Sequence, residues 1–168
     1  MVDVGRRALR ERFDDARHPD VQPLPGTHRC DLYLATDAAI IDARAGLGAL
    51  VETPDGETIA RWRCCGSSTD NNGAEIEALH FGLDRLSALS RTPTQLGILL
   101  DHDVLADALA AAASPSTRTP SRPPAHVGSP NHWGGILARI ASIQSVRVGV
   151  ISSPTNPAHT LANGMAAD

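Results

Sequence analysis

From residue 30 onward, apolar positions fall first into short runs and then into helical stripes. Residues 30–37 (Cys-Asp-Leu-Tyr-Leu-Ala-Thr-Asp) form a strand-like run that ends in a carboxylate. Residues 46–52 make a second such run and residues 58–65 a third, with Pro54-Asp55-Gly56 between them as turn chemistry, so this pair reads as a hairpin. Ile76, Leu79, Leu83 and Leu86 then recur at spacings of three and four, which predicts an amphipathic helix over residues 71–90. Thr69 or Asp70 is its cap, because a short side-chain oxygen accepts from an otherwise unpaired first-turn N–H. Residues 95–100 are almost wholly apolar, as in a strand buried on both faces, and they too lead into a carboxylate, Asp101. Val104, Leu105, Ala108 and Leu109 mark another helix. Further on, a helix over residues 133–141 and a strand over 145–152 precede a last helix from about residue 155. That helix carries Pro157 in its first turn and the stripe Ala158, Leu161, Ala162 and Met165. The order β-β-β-α-β-α-loop-α-β-α predicts an α/β fold: a central five-stranded mixed sheet, its first three strands antiparallel, flanked by helices.

Two segments break the pattern. Residues 1–28 offer only a thin stripe through Val4, Leu9 and Phe13, followed by a stretch with three prolines and a glycine. They are expected to be an N-terminal appendage and linker, with Arg6, Arg7, Arg10 and Arg12 interleaved with acids on a solvated face. Residues 113–131 turn to Ser, Pro, Thr and Arg, the composition of a mobile low-complexity loop inside a domain spanning residues 29–168. A chain of 168 residues with 42% hydrophobic content suits one domain with an aliphatic core. The formal net charge of -4 gives no whole-protein attraction to nucleic acid or anionic membranes, and all 15 basic residues are Arg. No apolar run reaches the roughly 18 residues of a spanning helix, and no secretory segment is expected. Cys30, Cys64 and Cys65 lack CxxC spacing and read as reduced thiols, which points to a cytoplasmic protein. No obligate protein partner is evident.

The candidate chemistry lies in Asp37 after the first strand, Glu75 near the positive end of the first long helix, and Asp101 after the fourth strand. Ligands of α/β sheets collect at the carboxyl ends of strands. If the first and fourth strands are parallel neighbours, Asp37 and Asp101 lie side by side and the helix start brings Glu75 to them. Three carboxylates without cationic partners repel one another unless a hard cation neutralises them. Mg²⁺ suits such a cluster, with Mn²⁺ as a substitute, and a pair of ions would serve in-line phosphodiester displacement. Cys64 and Cys65 read as packing, Asp31 and Asp42 as surface charges, and His80 and His132 are not spaced as ligands.

Thr36-Asp37-Ala38-Ala39, Asn71-Asn72-Gly73-Ala74-Glu75, Asp101 after a buried strand, and Ala158-His159-Thr160-Leu161-Ala162 resemble, in order, the motifs of type 1 ribonuclease H. The resemblance runs from about residue 30 to 166. It implies hydrolysis of the RNA strand of RNA–DNA hybrids, with Asp37, Glu75 and Asp101 as metal ligands. It also implies that Asn71 and Asn72 lie in the minor groove, near the 2′-hydroxyls that mark RNA. The family's fourth carboxylate usually stands in an AD-x-LA motif; here His159 occupies that position, in a form similar to some archaeal and plant-like members. A register that puts Asn163 there is the alternative. Asp101 is followed by His102 rather than the usual Ser, and no basic handle precedes the later helix, where Arg118 and Arg122 are the local cations. A module that binds hybrid or RNA with little or no turnover is the rival function, and another nuclease on the same fold is a third.

Overall fold

Alternation along the first long strand divides the molecule into two layers. The computed structural model describes residues 7–19, 30–114 and 130–167. Five strands form one sheet: β1 (Leu32–Ile41), β2 (Arg44–Glu52), β3 (Thr58–Gly66), β4 (Gln95–Leu100) and β5 (Ser145–Val150). Their spatial order is β3-β2-β1-β4-β5. β1 and β2, and β2 and β3, pair antiparallel, whereas β1 and β4, and β4 and β5, pair parallel. This is the mixed sheet that the pattern predicts. The parallel pairs require crossovers, supplied by α2 (Asn71–Ser87) and by α3 (Asp103–Ala113) with α4 (Pro130–Ala141).

Leu32 and Leu34 of β1 face α2, α3 and α4 in a core with Ile76, Leu79, Leu105 and Trp133. Tyr33 and Ala35, one position out of phase, face the opposite way with Leu50 and Leu99. That second face is covered by α1 (Leu9–Asp15) and by α5 (His159–Ala167). α5 lies so close that a Cβ at Gly46 would stand 2.1 Å from the Ala162 carbonyl oxygen, and one at Gly48 2.6 Å from that of Ala158. Only a residue without a side chain fits there. On the other face, Gly82 lets α2 approach β1 with the same economy, since its Cβ would meet Thr36 Cγ2 at 2.7 Å.

Three features differ from the expectations drawn from sequence. β1 continues beyond Asp37 to Ile41 and turns into β2 through Asp42 and Ala43, both at positive φ (50° and 63°). The last helix begins at His159, after a short 3-10 turn (Ser153–Thr155), so Pro157 precedes it. Most consequential, the expected appendage is docked over residues 7–19. Leu9 and Phe13, one helical turn apart, are 0% and 4% exposed, and the Phe13 ring meets Tyr33 edge-on at 5.4 Å. The stripe looked thin because a helix of seven residues needs only two anchors. Beyond α1, Arg17 exchanges backbone hydrogen bonds with Val150, covering the open edge of β5. Its guanidinium donates to Asp103 at 2.6 Å and reaches Asp107 at 3.5 Å. Residues 1–6, 20–29 and 115–129, including most of the expected low-complexity loop, lie outside the described residues; Ala113 ends α3 and Pro130 begins α4.

Phe13→Ala is therefore expected to destabilise the protein by about 3 kcal/mol in urea denaturation, the cost of emptying a buried aromatic site. A true appendage would lose almost nothing.

Candidate active site

Parallel pairing between β1 and β4 ends at Ala35 opposite Leu99. Two residues on, where the strands diverge, stands Asp37, paired on its other side with Gly48 of β2. It thus projects from within β1 rather than from the strand's end, just beyond the last β1–β4 pair. Asp101 is the first residue after β4. Glu75 sits on the second turn of α2, whose start is fixed twice. Asp70 caps it, its Oδ1 accepting from Gly73 N at 2.7 Å. Glu77, buried one face round, accepts from the backbone N–H groups of Ser67 and Ser68 at 2.8 and 3.0 Å and from both hydroxyls. Burial works against the Glu77 charge, but the Ser68 hydroxyl and the backbone N–H groups of Ser67 and Ser68, with the charge of His132, outweigh it and hold its pKa below the ordinary value.

The result is a set of three carboxylates with one oxygen each within 4.8 Å of one another: Asp37, Glu75 and Asp101. Asp37 is 1% exposed, and its Oδ1 is buried with no hydrogen-bond partner. Burial, followed by the charge of Asp101, pushes the Asp37 carboxyl above its ordinary range. Burial, then Asp101 and Asp37, does the same to Glu75 more strongly. An orphaned buried carboxylate oxygen among mutually repelling acids fits a hard divalent cation, which takes oxygen ligands and supplies the missing charge.

His159 joins this cluster from α5. Its Nδ1 lies 2.7 Å from Asp37 Oδ2, and its Nε2 lies 2.8 Å from the Asn163 amide nitrogen. An amide N–H can only donate, so Nε2 accepts and Nδ1 carries the proton given to Asp37. The two alternatives for the fourth position are thus partners: Asn163, one helical turn on, holds the imidazole that reaches the acid. Asn156 sets the approach, and nothing in its immediate sequence singled it out. It is buried, donates from Nδ2 to the Thr36 carbonyl at 2.9 Å, and accepts from Ala158 N at 3.0 Å. Asn71 is exposed and Asn72 half-exposed at the mouth formed by α2. His102 caps α3, its Nδ1 accepting from Leu105 N at 3.1 Å, while its Nε2 meets Asn72 Oδ1 at 2.9 Å. Away from the cleft, His80 and His132 share a 2.8 Å Nδ1···Nδ1 contact between α2 and α4; sequence spacing had no means of showing that pair. Asp31 is an anchor, accepting from Thr94 N at 2.8 Å.

No protein-family model and no curated protein matches the chain. Solved structures do. The N-terminal RNase H domain of a Mycobacterium tuberculosis protein superposes with a TM-score of 0.64 at 20% identity, covering 83% of this chain and 95% of that one. The fold is that of ribonuclease H. LC11-RNase H1, solved in complex with an RNA/DNA hybrid, gives 0.62 at 17% identity over 81% of this chain and 96% of its own. RNase H1 of the halophilic archaeon Halobacterium salinarum gives 0.59 at 18%, over 82% and 97%. On the ribonuclease H fold, the three carboxylates occupy the cleft where β1 and β4 part. No helix among the described residues is long and apolar enough to cross a membrane.

Both raised carboxyls bind protons more tightly in the folded protein than in the unfolded chain. Without metal, the stability they contribute is present at low pH and falls as pH rises above about 4, the unfolded value, through their folded values. Mg²⁺ is expected to raise the Tm clearly at pH 8 and little at pH 5 in a thermal-shift assay. Glu75→Gln should raise the metal-free Tm at pH 8 and remove most of the Mg²⁺ response.

Proposed function

We propose that the protein is a type 1 ribonuclease H that hydrolyses the RNA strand of RNA–DNA hybrids. The observation that carries this reading is the convergence of Asp37, Glu75 and Asp101 within 4.8 Å on the ribonuclease H fold. The three carboxylates would hold two divalent ions, Mg²⁺ or Mn²⁺, which when bound supply an activated water and neutralise charge at the scissile phosphate. The chain's own residues do the rest. The His159 Nδ1–H engages Asp37 Oδ2, which leaves Oδ1 as the buried oxygen without a hydrogen-bond partner. His159, with a side chain 38% exposed, stands at the edge of the acid cluster with its Nδ1 on Asp37 Oδ2. Asn71 and Asn72 stand beside Glu75 on α2 and would meet the minor groove, where the 2′-hydroxyls lie. That the similar LC11-RNase H1 was solved with an RNA/DNA hybrid supports the same substrate here.

The net charge of -4 leaves little long-range attraction to a polyanion, so local contacts in the cleft must hold the substrate. We place the catalytic unit in residues 29–168, with α1 packed against it. Three free thiols suit the reducing cytoplasm, where such a hydrolase would work.

The test is cleavage of end-labelled hybrid beside matched DNA and RNA duplexes, with Mg²⁺ and then Mn²⁺. Only the RNA strand of the hybrid should be cut. Asp37→Asn and Glu75→Gln are expected to lower kcat by about 1,000-fold, the loss typical of a group that stabilises transition-state charge. His159→Ala should lower it by about 100-fold, as for loss of a positioned acid–base group. Equal cutting of duplex DNA, or near-parental activity in Asp37→Asn, would refute the assignment.

A further inference from the structure

Outside the acid cluster, one pair of side chains has the make-up of a ligand set. His80 on α2 and His132 in the first turn of α4 lie far apart in sequence, yet the fold brings their Nδ1 atoms to 2.8 Å. The rings meet edge to face, 67° apart with centroids at 5.1 Å. Gly135 makes room for this, since a Cβ there would stand 2.2 Å from His80 Nε2. Asp84 Oδ1, held by Arg139 Nε at 2.8 Å, lies 3.9 Å from the same Nε2. A carboxylate behind an imidazole favours a proton on the nitrogen that it faces and leaves the other nitrogen free to bind a metal. Burial pushes the His80 imidazole below its usual pKa, with Asp84 opposing and His132 and Arg139 reinforcing. The ring is thus held in the neutral form that a cation requires. On the other side, the Glu77 carboxylate adds negative charge near His132.

We propose that His80 and His132 are the two protein ligands of a second metal site, apart from the carboxylate cleft, which takes a late first-row divalent cation with right-angled ligands, Ni²⁺ or Cu²⁺, and clips α4 to α2. The bite decides the class of cation. Two nitrogens each about 2.0 Å from one ion stand about 2.8 Å apart when they subtend a right angle, and about 3.3 Å apart at a tetrahedral one. The observed 2.8 Å is the right-angled value. Imidazole suits both ions, whereas Mg²⁺ takes oxygen ligands. In the metal-free protein one Nδ1 carries the proton shared by the pair. With Asp84 favouring Nε2 as the protonated atom of His80, that shared proton belongs to His132. It moves to His132 Nε2 when the ion takes its place, so both rings stay neutral. The His80 side chain is 24% exposed, and solvent water fills the remaining positions around the ion. One shared proton between two packed helices is thereby exchanged for coordinate bonds to both.

Tag-free, chelator-treated protein would be titrated with NiCl2 by calorimetry near neutral pH, with the thermal midpoint followed alongside. The Cu²⁺ form, at one equivalent, would be read by electron paramagnetic resonance. The expected result is a thermal midpoint raised by about 5–10 °C at a hundredfold excess of Ni²⁺ over its dissociation constant, and two imidazole nitrogens on the copper. His80→Gln and His132→Gln should each abolish the midpoint shift and leave at most one imidazole nitrogen. Asp84→Asn keeps both ligands and should weaken Ni²⁺ about tenfold. Glu75→Gln and His159→Ala alter the carboxylate cleft and should leave the Ni²⁺ response as in the parent. An unshifted parent, a parental response in either glutamine variant, or a response lost in Glu75→Gln or His159→Ala would each overturn the site. If a glutamine variant fails to fold, Asp84→Asn and the parent's copper spectrum decide. Unaltered Ni²⁺ affinity in the first, or fewer than two imidazole nitrogens in the second, overturns the proposal. None of these outcomes bears on hybrid cleavage, which is tested separately.

Discussion

Like charges held together in a poorly solvated cleft are the constraint on which this architecture depends. Asp37, Glu75 and Asp101 come from a strand, a helix and a loop that are far apart in sequence, yet one oxygen of each lies within 4.8 Å of the others. Left to itself such a cluster opposes folding: burial first, and then the charge of the neighbouring carboxylates, raises the pKa values of Asp37 and Glu75. The rest of the fold has to overcome it. The aliphatic core between the sheet and α2, α3 and α4 drives the assembly, and local devices fix the acids within it. Asp70 and Glu77 pin the start of α2, His102 the start of α3, and Asn156 the approach to α5.

Close approach of helix to sheet is the second condition. Gly46 and Gly48 allow α5 to lie almost on the backbone of β2, and Gly82 does the same for α2 over β1. Asp37 lies between these contacts, with Gly48 as its ladder partner. Were either helix held off by a side chain, His159 or Glu75 would be withdrawn from the cleft. Small residues at these positions are thus tied to function through geometry, not through chemistry of their own. The arginine of the N-terminal segment acts in a similar indirect way: Arg17 ties that segment both to the edge of β5 and to the first turn of α3, beside Asp101.

Much of this was legible in the sequence, and for physical reasons. Apolar period set the strands and helices, and three acids placed after strand or cap signals set the centre of the site. Asp37 was expected at a strand end, but β1 runs past it; it stands two residues beyond the end of pairing with β4, which a single strand's pattern does not reveal. α1 was misjudged because two apolar residues cannot stand out against a polar background, though both are buried. The linkage of His159 to Asn163, and of His102 to Asn72, depends on which side chains face one another across elements. Residue type alone made them candidates; only the fold shows that each imidazole has two partners, and which nitrogen carries the proton.

The most direct test of the central claim is anomalous diffraction from crystals soaked in Mn²⁺ with a hybrid bound to the Asp37→Asn protein, set beside crystals of the parent soaked in Mn²⁺ alone. The account predicts manganese peaks bounded by Asp37, Glu75 and Asp101 in the parent. In the variant they should be weakened or lost, with the RNA strand's phosphate facing the same cleft. Manganese bound elsewhere, or a hybrid seated away from the three carboxylates, would contradict it.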